Sequence, residues 1–302
     1  MAKVKIVTDS TSYIPSCLVQ EYGISVVPLK ISFSGQSFAE GIDITNEEFY
    51  QRLAHTKSPP VTSQPSSDEF TQTYSRLTEN DHPILSIHIS AKLSGTVHSA
   101  LRAKKCMHHS DIEVVDSLFT TMGLGMVVLS AARAASEGQS LSQIRASTEK
   151  IVSGMSLFFV VDTPHYLHKG NILGEAAAML GTMLDFKPIL HLKDGQIQPV
   201  SRVRTKPRAT KYLLEIMESR VPRDAPVHVT VIHARSPRDA ASLELEVQER
   251  FHCRETYVSE LGPVIGTHVG PGALGLAFYC DQGPVTVPVS QPLEPHRLPS
   301  PA

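Results

Sequence analysis

The residues of this chain best suited to chemistry are hydroxyls, one histidine and the glycines around it. Residues 262–275 set five glycines about His268. The last six of them, from Gly270 to Gly275, have the spacing of a dinucleotide fingerprint. Such a fingerprint joins a strand to a helix and is followed by an acidic ribose ligand. Here the glycines lead into the apolar run Leu276 to Cys280, which reads as a strand, and the residues after Asp281 leave no room for a second strand and helix. The segment is better read as a glycine-rich loop. It is either a tight turn or a wall on which Gly266, Thr267 and His268 meet a small polar head group, since glycine lets backbone come close to a ligand.

Two further segments are rich in hydroxyls. Thr62, Ser63 and Gln64 follow Pro59 and Pro60 and precede an amphipathic helix predicted from about Ser67; Ser94, Gly95 and Thr96 also stand at a helix start. Each segment fits a helix cap. Each also fits an anion site, because the first N–H groups of a helix are unpaired and side-chain hydroxyls add donors. The chain has no phosphate loop, zinc-protease helix or nucleophile elbow. Its fourteen histidines are scattered, and the close pairs His108/His109 and His165/His168 lack cysteine or carboxylate partners at ligand spacing, so no metal site is expected. A serine esterase or acyl transferase remains an alternative, with Ser94 as nucleophile, His268 as base and Asp9 or Asp116 as orienter.

Elements that could position these residues recur in order. Residues 4–7 end in Thr8, Asp9, Ser10 and Thr11; residues 83–89 run into Ser90 to Thr96; residues 112–115 run into Asp116, Ser117 and a long small-residue helix. Strand, polar turn and helix in repetition predict an α/β fold with a doubly wound parallel sheet, whose ligands bind beyond the carboxyl ends of the strands. After Gly138 a helix over 141–152 leads to a strand at 156–161, which opens a second unit. Residues 1–155 are therefore expected to form an N-terminal α/β domain and residues 156–281 a C-terminal α/β domain with a mixed sheet. The second unit contains an Ala/Met-rich helix over 175–184, a strand pair about Asp194 and Gly195, and a strand at 226–232. Six prolines in the twenty-one residues 282–302 predict a disordered tail.

A length of 302 residues accommodates two cores, and a net charge of −2 makes no case for nucleic acid or an anionic membrane. Four widely spaced cysteines fit reduced thiols. Without a signal peptide or a bilayer-length apolar run, the expectation is a cytoplasmic protein with no stable membrane insertion.

Taken together, Thr8 to Thr11, Thr62 to Pro65, Leu93 to Thr96, Asp116 with Ser117, Lys187 to Leu190 and Gly262 to Gly275 resemble the DegV family in order and spacing, over about residues 4–281. The resemblance implies two α/β domains with a long-chain fatty acid between them, and no cofactor. It also implies no chemistry of the chain's own: a separate fatty acid kinase catalytic subunit phosphorylates the carboxylate to an acyl phosphate used in phospholipid synthesis. Thr62, Ser63, Ser94, Gly95, Gly266, Thr267 and His268 would then hold or shape the carboxylate site. Hydroxyl and backbone donors suit such a role, because they bind a carboxylate without neutralising it permanently. The acyl tail would supply most of the affinity, at about 0.8 kcal/mol per buried methylene. Its expected lining is Phe119, Met122, Leu124, Met126, Ile172, Met179, Met183 and Ile189, although an apolar helical stripe equally fits plain core. Arg202, Arg204 and Lys206 could dock the kinase or form a solvated loop. The chain departs from the family where Lys169, Gly170, Asn171 and Ile172 lack the arginine of the usual Lys-Gly-Gly-Arg-Ile run.

Overall fold

The structure, a computed structural model, describes residues 2–56, 58–79, 81–108, 110–169 and 186–281. The helix expected over 175–184, the lining residues Ile172, Met179 and Met183, the Asn171 departure and the tail after Asp281 lie outside the described residues.

Four parallel strands form the first sheet: β1 (Lys5–Asp9), β2 (Ser25–Val27), β6 (Ile84–His88) and β7 (Ile112–Asp116), in the order β2-β1-β6-β7. Parallel strands require crossovers, and helices supply them on both faces. Helices α3 (Ser67–Thr78) and α4 (Thr96–Cys106) cover one face, and α1 (Ser16–Tyr22), α5 (Thr121–Ser136) and α6 (Leu141–Gly154) the other. Ser66 and Ser140 begin α3 and α6 with reciprocal Ser/Glu and Ser/Gln capping boxes. A feature not read from the sequence is a small antiparallel sheet, β4-β3-β5, built from β3 (Lys30–Phe33), β4 (Gln36–Ala39) and β5 (Val61–Ser63). Helix α2 (Asn46–His55) links β4 to β5, and β5 carries Thr62.

The second sheet is mixed, in the order β10-β9-β8-β13-β11-β12. Its strands are β8 (Ser156–Val160), β9 (Lys187–Lys193), β10 (Gln196–Val203), β11 (Val227–His233), β12 (Cys253–Glu260) and β13 (Leu274–Cys280). Only β11 and β12 run parallel; the other neighbours are antiparallel. Helix α7 (His165–Lys169) follows β8, while α8 (Lys206–Arg220), α9 (Pro237–Arg250) and the short α10 (Pro263–Val269) join the later strands.

Strand periodicity divides the core. Val227, Val229 and Val231 of β11 and Phe158 and Val160 of β8 pack beneath α8 and α9. Leu157, Val161 and Ile232 face the opposite way, into a larger core shared with α5, α6 and the first sheet. Helix α5 is apolar nearly all round because it touches both sheets, with β1 and β6 on one side and β11 and β13 on the other. Arg133, near its end, makes a two-pronged pair with Glu255 of β12 at 3.0 and 2.6 Å.

Candidate functional site

A cavity of about 1040 Å³ of empty space, part of it continuous with solvent, lies between the two sheets. Thr62 and Ser63 of β5, Gln64, Ser94 and Gly95 before α4, and His268 of α10 line its polar part. Leu157 and Phe159 of β8, Leu192 and Ile197 of the β9-β10 hairpin, and Ile232, Leu261, Val264 and Ile265 line the rest with hydrocarbon. Ser63 and Gln64 are exposed and Val61 beside them is 67% exposed, so the polar end reaches the protein surface.

The two hydroxyl segments and His268 meet although they are far apart in sequence. Thr62 Oγ1 lies 3.0 Å from His268 Nε2. Ser94 Oγ shares a 2.8 Å hydrogen bond with Thr96 Oγ1 and accepts one from the Thr96 N–H at 3.3 Å. Gln64 covers Gly95 so closely that a side-chain carbon at Gly95 would lie 3.0 Å from Gln64 Nε2. Among the described residues, His268 Nδ1 is buried without a partner. Burial of the ring lowers its pKa from 6.5 to about 4, so it is neutral at neutral pH. If Nε2–H donates to Thr62 Oγ1, the Thr62 proton is free to point into the cavity, and only an acceptor nitrogen goes unpaired.

Much of the expected glycine loop is helix. Residues 263–269 form α10, and only Gly270 (φ 69°) and Gly272 (φ 89°) form a left-handed turn behind it. This corrects two head-group expectations. Thr267 donates its hydroxyl to Pro263 O at 2.8 Å, and Gly266 sits against Phe49 and Tyr50 of α2, where a side-chain carbon would come within 2.7 Å of Phe49. Both residues fix α10 in place, and neither lines the cavity. The helix is also held at its start: Glu40, fully buried, accepts hydrogen bonds from Ser10 Oγ (2.5 Å), Tyr13 Oη (3.0 Å) and the Val264 N–H (2.7 Å). Burial raises the Glu40 pKa to about 7 against the opposing pull of those donors.

The tail-lining expectations also need correction. Phe119, Met122, Leu124 and Met126 are buried in the core around α5, off the cavity, because α5 fills the space between the sheets. Ile189 points to the other face of β9, beneath α8; Leu192, three residues on, faces the cavity. The lining is drawn instead from Leu157 and Phe159 of β8, Leu192 of β9, Ile197 of β10 and from α10, with Thr120 and Thr121 at the start of α5. Alternation in Leu157-Phe158-Phe159 and the apolar residues flanking the turn at Asp194 and Gly195 were the available sequence signals.

Hydrogen bonding separates the residues an esterase would need to bring together. Asp9 accepts from the Ile89 N–H at 2.9 Å and from His88 Nδ1 at 3.1 Å. His88 Nε2 in turn accepts from Ser86, which accepts from Tyr74. Asp116 accepts from the Ala91 and Leu118 N–H groups. Neither carboxylate orients His268, and His268 bonds Thr62 rather than Ser94. In the basic stretch, Arg202 and Arg204 lie over the Phe186 ring at 5.0 and 5.8 Å, and Lys206 pairs with Asp239 at 2.7 Å. Among the described residues no His/Cys/Asp/Glu group could hold a metal, and no helix is long and apolar enough to cross a membrane.

A parallel sheet, a mixed sheet and the small antiparallel sheet that carries Thr62 enclose a cavity that is hydroxyl-lined at one end and mainly apolar along the rest, and together they define an α/β protein shaped for an amphipathic molecule. The chain belongs to the DegV family, described as uncharacterised proteins, whose model matches residues 3–281. It is 35% identical to a DegV domain-containing protein of Halalkalibacterium halodurans, over 93% of this chain and 100% of the relative. Among solved structures it resembles a DegV family protein from Thermus thermophilus described by its fatty acid binding, with 35% identity, a TM-score of 0.86, and coverage of 92% of this chain and 99% of that one. It also resembles DegV of Bacillus subtilis, described as a fatty acid binding protein, with 32% identity, a TM-score of 0.84, and coverage of 93% and 99%.

Proposed function

We propose that this protein binds a long-chain fatty acid, with the carboxylate at Thr62, Ser63, Ser94, Gly95 and His268 and the acyl chain along the apolar walls, and presents it to a separate kinase subunit. The observation that carries this reading is the polarity of the cavity. Its neutral donors collect at the end that reaches the surface, beside exposed Ser63 and Gln64, and the remaining wall offers mainly hydrocarbon. Solved relatives above 30% identity described as binding fatty acids support the same ligand class.

The donor set suits presentation better than storage. Thr62 and Ser94 hydroxyls and a neutral His268 hold a carboxylate without a fixed positive charge, so its oxygen keeps the electron density to attack the γ-phosphorus of a nucleotide held by the kinase, releasing the nucleoside diphosphate and leaving an acyl phosphate. No step needs a nucleophile from this chain. The partner would meet the surface around Val61 to Gln64, with Arg202 and Arg204 as further contacts.

Reconstitution with a fatty acid kinase catalytic subunit tests the reading. Thr62→Val and Ser94→Ala are each expected to lower acyl phosphate output about tenfold while weakening lipid binding only about threefold, since the tail supplies most of the affinity. Unchanged output, or a loss fully explained by lost binding, contradicts the head-group assignment.

A further inference from the structure

Glu40 is a buried acid that the head-group chemistry does not use. It is 4% exposed and lies off the cavity lining. Burial raises its pKa to about 7, so desolvation opposes a charge that packing alone does not require; an apolar side chain would fill the space without that opposition.

What the carboxyl holds is α10, the helix that carries His268. Gly262, which precedes the helix, has no side chain to cap it, and its first free N–H groups are capped from the first half of the chain instead. The Val264 N–H donates to Glu40 Oε1 at 2.7 Å and the Ile265 N–H to Tyr13 Oη at 3.2 Å, while Tyr13 Oη donates to the same Glu40 oxygen at 3.0 Å. Ser10 Oγ donates to the other oxygen and accepts from the Leu29 N–H. The fit is close: a side-chain carbon at Gly262 would lie 2.6 Å from the Tyr13 ring and 2.9 Å from Glu40 Oε1.

The small antiparallel sheet meets α10 a second time. The Glu40 N–H donates to Leu29 O at 2.9 Å, which continues the β4-β3 ladder one residue past Ala39, and Thr62 of β5 stands opposite Ile31. Leu29 and Ile31 are two residues apart on one extended segment, so Glu40 and Thr62 project from the same face of the sheet. His268 lies one turn after Val264 and on the same side of α10. The sheet therefore touches the helix at its start through Glu40 and near its end through Thr62, whose Oγ1 is 3.0 Å from His268 Nε2. Two contacts from one sheet fix where the helix lies and how it is turned, which one contact does not.

We propose that Glu40 and Tyr13 are positioning residues of the head-group site, which set the Thr62–His268 contact through α10 without touching the ligand. This rests on the fatty acid reading above and extends it to residues outside the cavity. While His268 Nε2–H donates to Thr62 Oγ1, the Thr62 proton is left for the carboxylate; a shift of α10 breaks that bond and frees the Thr62 proton to turn away.

The test is a double-mutant cycle on acyl phosphate output in the reconstituted kinase reaction. Glu40→Met, which fills the space without an acceptor, is expected to lower output about fivefold and Tyr13→Phe about threefold, while Glu40→Gln, whose amide oxygen still accepts from the Val264 N–H, stays within about twofold of wild type. In a Thr62→Val background, neither Glu40→Met nor Tyr13→Phe is expected to lower output by more than about twofold further, because the contact they position is already gone. A role in stability alone predicts losses that multiply in full. That result, or full output from both Glu40→Met and Tyr13→Phe, overturns this proposal alone. If Glu40→Met does not fold, the cycle with Tyr13→Phe, which keeps the ring, decides by itself. A wild-type protein that neither binds a fatty acid nor supports acyl phosphate formation overturns the fatty acid reading and this proposal with it.

Discussion

Replacing His268 with glutamine removes the one ring in the head-group cluster whose ionisation the fold suppresses. Desolvation by its neighbours lowers the His268 pKa from 6.5 to about 4. Between those values the unfolded chain binds a proton that the folded chain refuses, so stability present above about pH 6.5 is lost as the pH falls through about 4. At about 1.36 kcal/mol per pH unit, the loss is about 3 kcal/mol. His191 and His233 are also held low by burial, but they act alike in wild type and variant, so their contribution cancels in the difference. Urea unfolding of both proteins from about pH 7.5 to about pH 4 measures it. The His268→Gln variant is expected to be less stable at neutral pH, where it disturbs the contact with Thr62, and to gain about 3 kcal/mol on wild type as the solution is acidified. A stability gap that stays constant within ~0.5 kcal/mol would show that His268 titrates normally and that the ring is not sealed against water.

Glu40→Gln should have the opposite pH signature. A carboxyl raised to about 7 by burial contributes stability that is full below about pH 4.5 and lost as pH rises through about 7, so the variant should gain up to about 3 kcal/mol relative to wild type between those limits in the same unfolding assay. Gly195→Ala places a carbon 2.5 Å from Ser90 Oγ at a backbone φ of 79°; it should cost about 2 kcal/mol and lower the melting temperature by several degrees, and an unchanged melt would mean the β9-β10 hairpin does not dock as described. Arg133→Met leaves Glu255, 18% exposed, without its two-pronged partner and should cost about 2 kcal/mol by denaturant midpoint; a loss below ~0.5 kcal/mol would count against α5 being pinned to β12.

The repeated strand, polar turn and helix of the first half was legible because parallel strands buried on both faces read as short apolar runs ending in Asp9, His88 and Asp116. The meeting of Thr62, Ser94 and His268 was legible only through a whole-chain resemblance, since no local pattern places residues 62 and 268 within 3.0 Å. The tail lining was misplaced for a physical reason: an Ala/Gly/Met-rich helix is as well suited to lie between two sheets as to line a tunnel, and α5 does the former. The glycine-rich segment concealed a helix, because Gly266 is required by the close approach of α2 rather than by a turn.

The most direct measurement is the NMR spectrum of the protein loaded with a fatty acid labelled at its carboxyl carbon with the NMR-active isotope. A carboxylate held by Thr62, Ser94 and His268 is expected to give a single resonance displaced from that of the free acid, resisting titration through the ordinary carboxyl range and shifting again in both Thr62→Val and Ser94→Ala. A resonance that titrates as the free acid does, and ignores both substitutions, would place the carboxylate elsewhere and contradict the assignment of this cavity.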